Sequence, residues 1–150
     1  MEKPKETPYP YVFATCLLDF NLGHRETILI GEKDLDRVLR PHVKYKAMGT
    51  HYLVSTTPRS INLFKAIMQK SGNIDVALGR ALGYPPRCVE WFASTTMEEH
   101  MSCGTLTGGS YAFKCPTELI DYAIDFMLTM YNVSMYYDID VEDIMLIDTP

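Results

Sequence analysis

Four side chains able to ligate a metal or act as nucleophiles follow one another as Cys88, His100, Cys103 and Cys115, a spacing of C-x11-H-x2-C-x11-C. His100 and Cys103 have chelate spacing, and three thiolates with one imidazole would complete a tetrahedral zinc site. Zinc is therefore the cofactor this pattern would take, with Cys88, His100, Cys103 and Cys115 as its ligands. It would also explain why periodicity is lost from Thr95 to Gly109. Against it, zinc modules usually carry two close ligand pairs, and this pattern has one.

The same residues suggest a second chemistry. Cys88 falls in the first turn of a helix opened by Pro85 and Pro86, beside Arg87, and Cys115 stands directly before Pro116 at the start of another helix. Helix N-termini and neighbouring cations stabilise a thiolate. Either cysteine, with His100 or His51 as base, would suit a hydrolase or transferase. The competing reading is plain packing, because free cysteine is among the most buried residue types.

A third group is cationic. Arg37, Arg40, His42, Lys44 and Lys46 form a basic stretch able to meet a phosphate or an acidic protein, and Arg87 and Trp91 add a cation and an aromatic face beside Cys88. We take Arg37, Arg40, Arg87 and Trp91 as candidate ligand-binding residues. The glycine-bearing run 103–110 would offer backbone N–H groups to an anion, but it lacks the Gly-Lys-Ser/Thr ending of a phosphate loop.

These groups need a scaffold. The chain has 150 residues, 47% hydrophobic and 22% charged, with 9 glycines and 9 prolines, which suits one α+β domain over 11–150 behind a leader over 1–10. Coiled-coil, collagen-like and wholly disordered classes are excluded. The charged, proline-rich start has no apolar core of signal-peptide type. The uncharged run 126–137 is far short of the ~20 residues of a membrane span. The expectation is a cytoplasmic chain with reduced thiols and no membrane partner.

Charge is uneven. Residues 1–75 carry 11 Lys and Arg against 8 Asp and Glu, whereas residues 76–150 carry 3 against 11. Such polarity attracts partners of opposite sign. It argues against duplex DNA, whose phosphates the acidic half would repel, and it would let two copies meet as a homo-oligomer.

Periodicity places the elements. Runs 11–18, 27–30, 51–56 and 110–114 read as strands, the first two as a hairpin. Leu35, Val38 and Leu39 recur at helical spacing, and Ile61, Phe64, Ile67 and Met68 mark a helix ending at Gly72. Asn73 caps a helix lined by Ile74, Ala77, Leu78, Ala81 and Leu82. Gly83 closes it, and the two prolines start the next, giving an αα-hairpin. Gly104, Gly108 and Gly109 mark a flexible loop, and Pro116 opens a long C-terminal helix. Residues 144–147 would form a last edge strand. The whole predicts an α+β fold with helices packed on one small mixed sheet.

Residues 82–92, LGYPPRCVEWF, resemble a signature of uncharacterised microbial domains, roughly L-G-[YI]-P-x-C-C-V-x-x-F, with Arg87 at the place of a second cysteine. The resemblance draws attention to Cys88 and implies no activity. The functional expectation is a small cytoplasmic binding domain that recognises a protein partner or a small anionic ligand. The alternative is a cysteine-dependent enzyme using Cys88 or Cys115, or a protein with a structural zinc site.

Overall fold

The computed structural model describes residues 16–138. The expected leader, the first part of the strand placed at 11–18 and the edge strand placed at 144–147 lie outside them.

Residues 16–18 are helical, not extended, and belong to a helix α1 over 16–21. The reason is visible in burial. Cys16 and Phe20, one helical turn apart, are buried, while Leu18 between them is exposed. Strand β1 (Thr27–Gly31) therefore has a different partner from the one expected. It pairs antiparallel with β3 (His51–Ser55), which also pairs antiparallel with β2 (Lys44–Met48), in the order β1-β3-β2. Between β1 and β2 the helical pattern at 35–39 resolves into a 3-10 turn, Glu32–Arg37.

Alternation along the strands gives this sheet two faces. Ile28, Ile30 and Val54 pack with Cys16 and Phe20 of α1 and with Val38. Leu53 points the other way, onto Ile61 and Phe64 of α2 (Pro58–Ser71) and Ala77 and Ala81 of α3 (Ile74–Ala81). Phe20, Ile28 and Leu53 are fully buried, each contributing about 2 kcal/mol. The helix ends follow the sequence. Gly72 caps α2 in the left-handed conformation, with φ 68°, and the Asn73 side chain accepts from the Val76 N–H at 3.2 Å.

The αα-hairpin of α3 and α4 (Pro86–Ser94) also forms as expected. Gly83 makes its corner with φ +87°, and the Tyr131 hydroxyl donates to the Gly83 carbonyl at 2.7 Å. The stretch 95–109, expected as a loop, is instead largely regular. Thr96 and Glu99 form a reciprocal capping box that starts α5 (Met97–Met101), and β4 (Thr105–Gly108) follows. Strand β5 (Tyr111–Lys114) and then β6 (Tyr136–Asp138) flank β4, both antiparallel to it. A 3-10 turn, Thr117–Leu119, leads into the long helix α6 (Ile120–Tyr131). The α+β class holds, but two separate antiparallel sheets replace the single mixed sheet. Among the described residues, no helix is long and apolar enough to cross a membrane.

The second sheet and α6 enclose a core of Cys88, Leu106, Tyr111, Cys115, Leu119, Ala123, Met127 and Met135. Arg25, between α1 and β1, ties this core to the first sheet. Only 4% exposed, it donates from Nη1 to the Ser110 carbonyl at 2.7 Å and lies near Cys16 Sγ at 3.2 Å. Its guanidinium carbon stands 4.2 Å from the Tyr111 ring centre.

One carboxylate supports the first sheet. Burial pushes the Glu26 carboxyl upward, but hydrogen bonds from Thr57, Arg59 and Ser60 outweigh it and leave the group below its ordinary value. A depressed carboxyl stabilises the fold above its unfolded pKa, and that contribution is lost as pH falls through the folded one. The stability difference between wild type and Glu26→Gln should therefore shrink on acidification from about pH 5 to about pH 2. Urea titrations across that range would show it, and a constant difference would contradict the assignment.

Candidate functional site

The two prolines fix how Cys88 is presented. Pro86 occupies the first turn of α4, where its missing N–H costs nothing, and the Val89 N–H closes the turn on the Pro85 carbonyl at 3.0 Å. Cys88 then projects from that turn into the second core. Cys115 arrives from the end of β5. Its backbone N–H donates to Gly104 at 3.2 Å and its carbonyl accepts from the Tyr137 hydroxyl at 3.1 Å. The two sulfurs come to 3.9 Å of each other, 27 residues apart in the chain.

Both thiols are sealed, Cys88 at 2% exposure and Cys115 at 0%. The hydrogen bond from Cys115 holds the Cys88 thiol below its ordinary value, against burial, which pushes it up; the Arg87 charge assists. Cys115 is driven well above its ordinary value by its contact with Cys88, and burial and the nearby Cys88 and Glu118 charges add to the effect; its thiol also reaches the Pro116 carbonyl at 3.4 Å. The pair is therefore asymmetric, with Cys88 the better thiolate.

His100 does not join them. Its Nε2–H is shared between the Phe92 carbonyl at 2.8 Å and the Thr95 hydroxyl oxygen at 2.9 Å, and its ring stacks on Phe92 with centres 3.8 Å apart. Its Nδ1 is buried and has no hydrogen-bond partner among the described residues. The imidazole ties α5 to α4, and Trp91 packs beside it at 5.4 Å. Cys103 donates its thiol to the His100 carbonyl at 3.4 Å, so the chelate spacing serves the end of a helix. His51, the other base considered, is exposed at the start of β3 and meets the Thr50 hydroxyl at 3.0 Å.

The expected zinc set therefore separates into a Cys88–Cys115 pair and a His100–Cys103 pair. Among the described residues, no group of three or more His, Cys, Asp or Glu side chains is placed to hold a metal ion. Among the described residues, the His100 ring likewise hydrogen-bonds to Phe92 and Thr95 and to neither of the Cys88 and Cys115 sulfurs, so this base and this thiol pair are not joined.

Comparison with protein-family models, with curated proteins and with solved structures finds no match. The chain's chemistry must be read from its own side chains.

The cationic residues occupy two places. Arg87 is exposed on α4, its guanidinium carbon 5.0 Å from the Tyr122 ring centre, and Trp91 is half-buried one turn on. Arg37 and Arg40 lie at the end of the first 3-10 turn. Arg37 pairs with Asp34 at 3.5 Å, and Arg40 donates to Asn21 at 2.8 Å and to the Val38 carbonyl at 3.1 Å. No hydrogen bond, ion pair or ring contact connects the two places among the described residues.

From Arg40 a tight turn, with His42 at φ 79°, feeds directly into β2. Lys44, Tyr45 and Ala47 of that strand are exposed, and Lys46 is half-buried. Strand β2 is an edge: among the described residues its only sheet partner is β3. The basic stretch is thus an open strand, a placement the sequence reading missed. The signal was present in the alternation of Lys44, Tyr45, Lys46, Ala47 and Met48 before Gly49-Thr50. Gly49 supplies the positive φ of 70° that a two-residue hairpin turn requires at that position.

Proposed function

We propose that this chain is a cytoplasmic protein-binding module that takes an extended, acidic segment of a partner protein along the β2 edge. The observation that carries the reading is the exposed outer side of β2 with its lysines. Unpaired backbone N–H and C=O groups of an edge strand add a further strand readily, and side chains then set which strand is accepted. Lys44 and Lys46 lie on one face of β2, with Arg37 and Arg40 at the turn before it. Edge lysines oppose pairing with a neutral or basic strand, and the same charges favour an acidic one. A small anion fits less well. It needs donors that converge on one point, whereas these cations run along a strand, and Arg37 and Arg40 already have local partners.

Fluorescence anisotropy with a labelled octapeptide alternating Glu and Val tests the reading. Wild type is expected to bind, with affinity falling as salt rises. The double substitution Lys44→Glu with Lys46→Glu should weaken binding at least about tenfold while leaving the melting temperature nearly unchanged. Equal affinity for the charge-reversed protein, or absence of binding by wild type at low salt, would overturn it.

A further inference from the structure

The paired thiols belong to the second core, not to the first sheet, and are not needed for that edge. We infer that Cys88 and Cys115 form a peroxide-oxidisable dithiol, closing to an internal disulfide that staples the start of α4 to the segment leading into α6. The inference stands on placement. Two free cysteines from distant parts of the chain have their sulfurs 3.9 Å apart, in hydrogen-bond contact, with no metal-binding group of three around them among the described residues. A disulfide requires about 2.05 Å, so the sulfurs must approach by less than one atomic diameter.

Their surroundings give the pair a direction. Cys88 stands in the first turn of a nine-residue helix beside the exposed Arg87, whose guanidinium favours a thiolate. Cys115 is fully buried, and its thiol is within 3.4 Å of the Pro116 carbonyl. Cys88 is therefore the attacking sulfur and Cys115 the resolving one.

The chemistry closes with hydrogen peroxide as the oxidant. The Cys88 thiolate attacks one peroxide oxygen, the O–O bond breaks, and hydroxide leaves and takes up the proton that Cys88 gave up on ionising, giving one water and a sulfenic acid on Cys88. The Cys115 sulfur then attacks Cys88 Sγ. The S–O bond breaks, the oxygen departs as water with the Cys115 proton, and the S–S bond forms. Two thiols are oxidised and one peroxide is reduced to two waters. Enzymatic turnover would need a substrate seated against a sulfur that is 2% exposed; a single oxidation needs only the brief openings by which small reagents reach buried groups. A low-molecular-weight dithiol, in excess, returns the pair to its reduced state.

The test treats the native, full-length protein with hydrogen peroxide, blocks remaining thiols with an alkylating agent under denaturing conditions, and measures intact mass and peptides. The expected product has lost two hydrogen atoms, takes up two alkyl groups where the reduced protein takes up four, and yields one cross-linked peptide pair containing Cys88 and Cys115. Cys16→Ser and Cys103→Ser should still form it, and Cys88→Ser and Cys115→Ser should not. The oxidised wild type should also melt several degrees higher and revert on reduction. Four alkylatable thiols after peroxide treatment, or a cross-link joining any other pair, would overturn the inference. Because peptide mapping of the wild type alone decides this, a serine variant that fails to fold does not protect it.

Discussion

Truncating Arg25 to alanine is expected to lower unfolding free energy by about 4 kcal/mol, among the largest effects for one residue in this chain. Three losses combine. The Ser110 carbonyl loses its charge-assisted donor at 2.7 Å, and an unmet buried acceptor is costly. The guanidinium plane vacates the face of Tyr111, removing a cation–π contact at 4.2 Å. The volume it filled between α1, the β4–β5 turn and the Tyr84 corner becomes a cavity.

The comparison that isolates the mechanism is Arg25→Met. Methionine refills much of the space and carries no charge to keep desolvated, so it should recover about half of the loss. Urea unfolding with matched m-values measures both. Arg25 makes no ion pair with a carboxylate among the described residues, so the arrangement relies on carbonyl, thiol and ring. A change below about 1 kcal/mol for Arg25→Ala would mean that these contacts carry little weight.

The second large effect is expected from a single methyl group at Gly108. A Cβ there would collide with the Ser134 carbonyl and with Met135 Sδ, and the first of these is backbone that cannot rotate away. Gly108→Ala should therefore cost about 3 kcal/mol by forcing β4 and the approach to β6 apart. Gly109, next in sequence, makes the control. A Cβ at Gly109 has only Val133 at 3.7 Å, an ordinary contact, so Gly109→Ala should show only the cost of its φ of +57°, about 1 kcal/mol. Thermal melts of the two variants give the ordering directly, and an equal loss in both would refute the steric account.

That contrast explains what sequence could and could not disclose. Gly104, Gly108 and Gly109 read together as a flexible loop because glycine's usual signal is a turn. Only Gly109 acts that way. Gly104 lies where a Cβ would strike the Asp138 carbonyl and the Tyr137 ring, so it and Gly108 are glycines for close backbone approach. Nothing local separates the two meanings, because the segment that presses on them arrives only from Ser134 onward, after the whole of α6.

Elsewhere local signals sufficed. The Asn73 cap, the Gly72 and Gly83 ends and the proline-started α4 depend on neighbours within a few residues, and each formed as read. The chemistry was half legible. Cys88 lies in the first turn of α4 as read, whereas Cys115 precedes a 3-10 turn and the long helix it was expected to open begins only at Ile120; the two sulfurs nonetheless meet. Chelate spacing linked His100 with Cys103 as ligands; it reports which residues share a helix turn, whereas the structure bonds the imidazole to Phe92 and Thr95 and the Cys103 thiol to the His100 carbonyl. Arg25 gave no sequence signal. A buried arginine is recognisable only by partners such as Ser110, 85 residues away.

The position of β4 has a consequence for how the chain is made. Its neighbour β5 follows after a two-residue turn, whereas its other neighbour, β6, comes only after the whole of α6. As the chain leaves the ribosome, the β4–β5 ribbon is complete while the opposite side of β4 is still bare. Until Tyr136 to Asp138 emerge, that side presents backbone made still more approachable by its glycines, so a chain stopped short of Tyr136 carries a sticky, unprotected margin that the finished protein conceals.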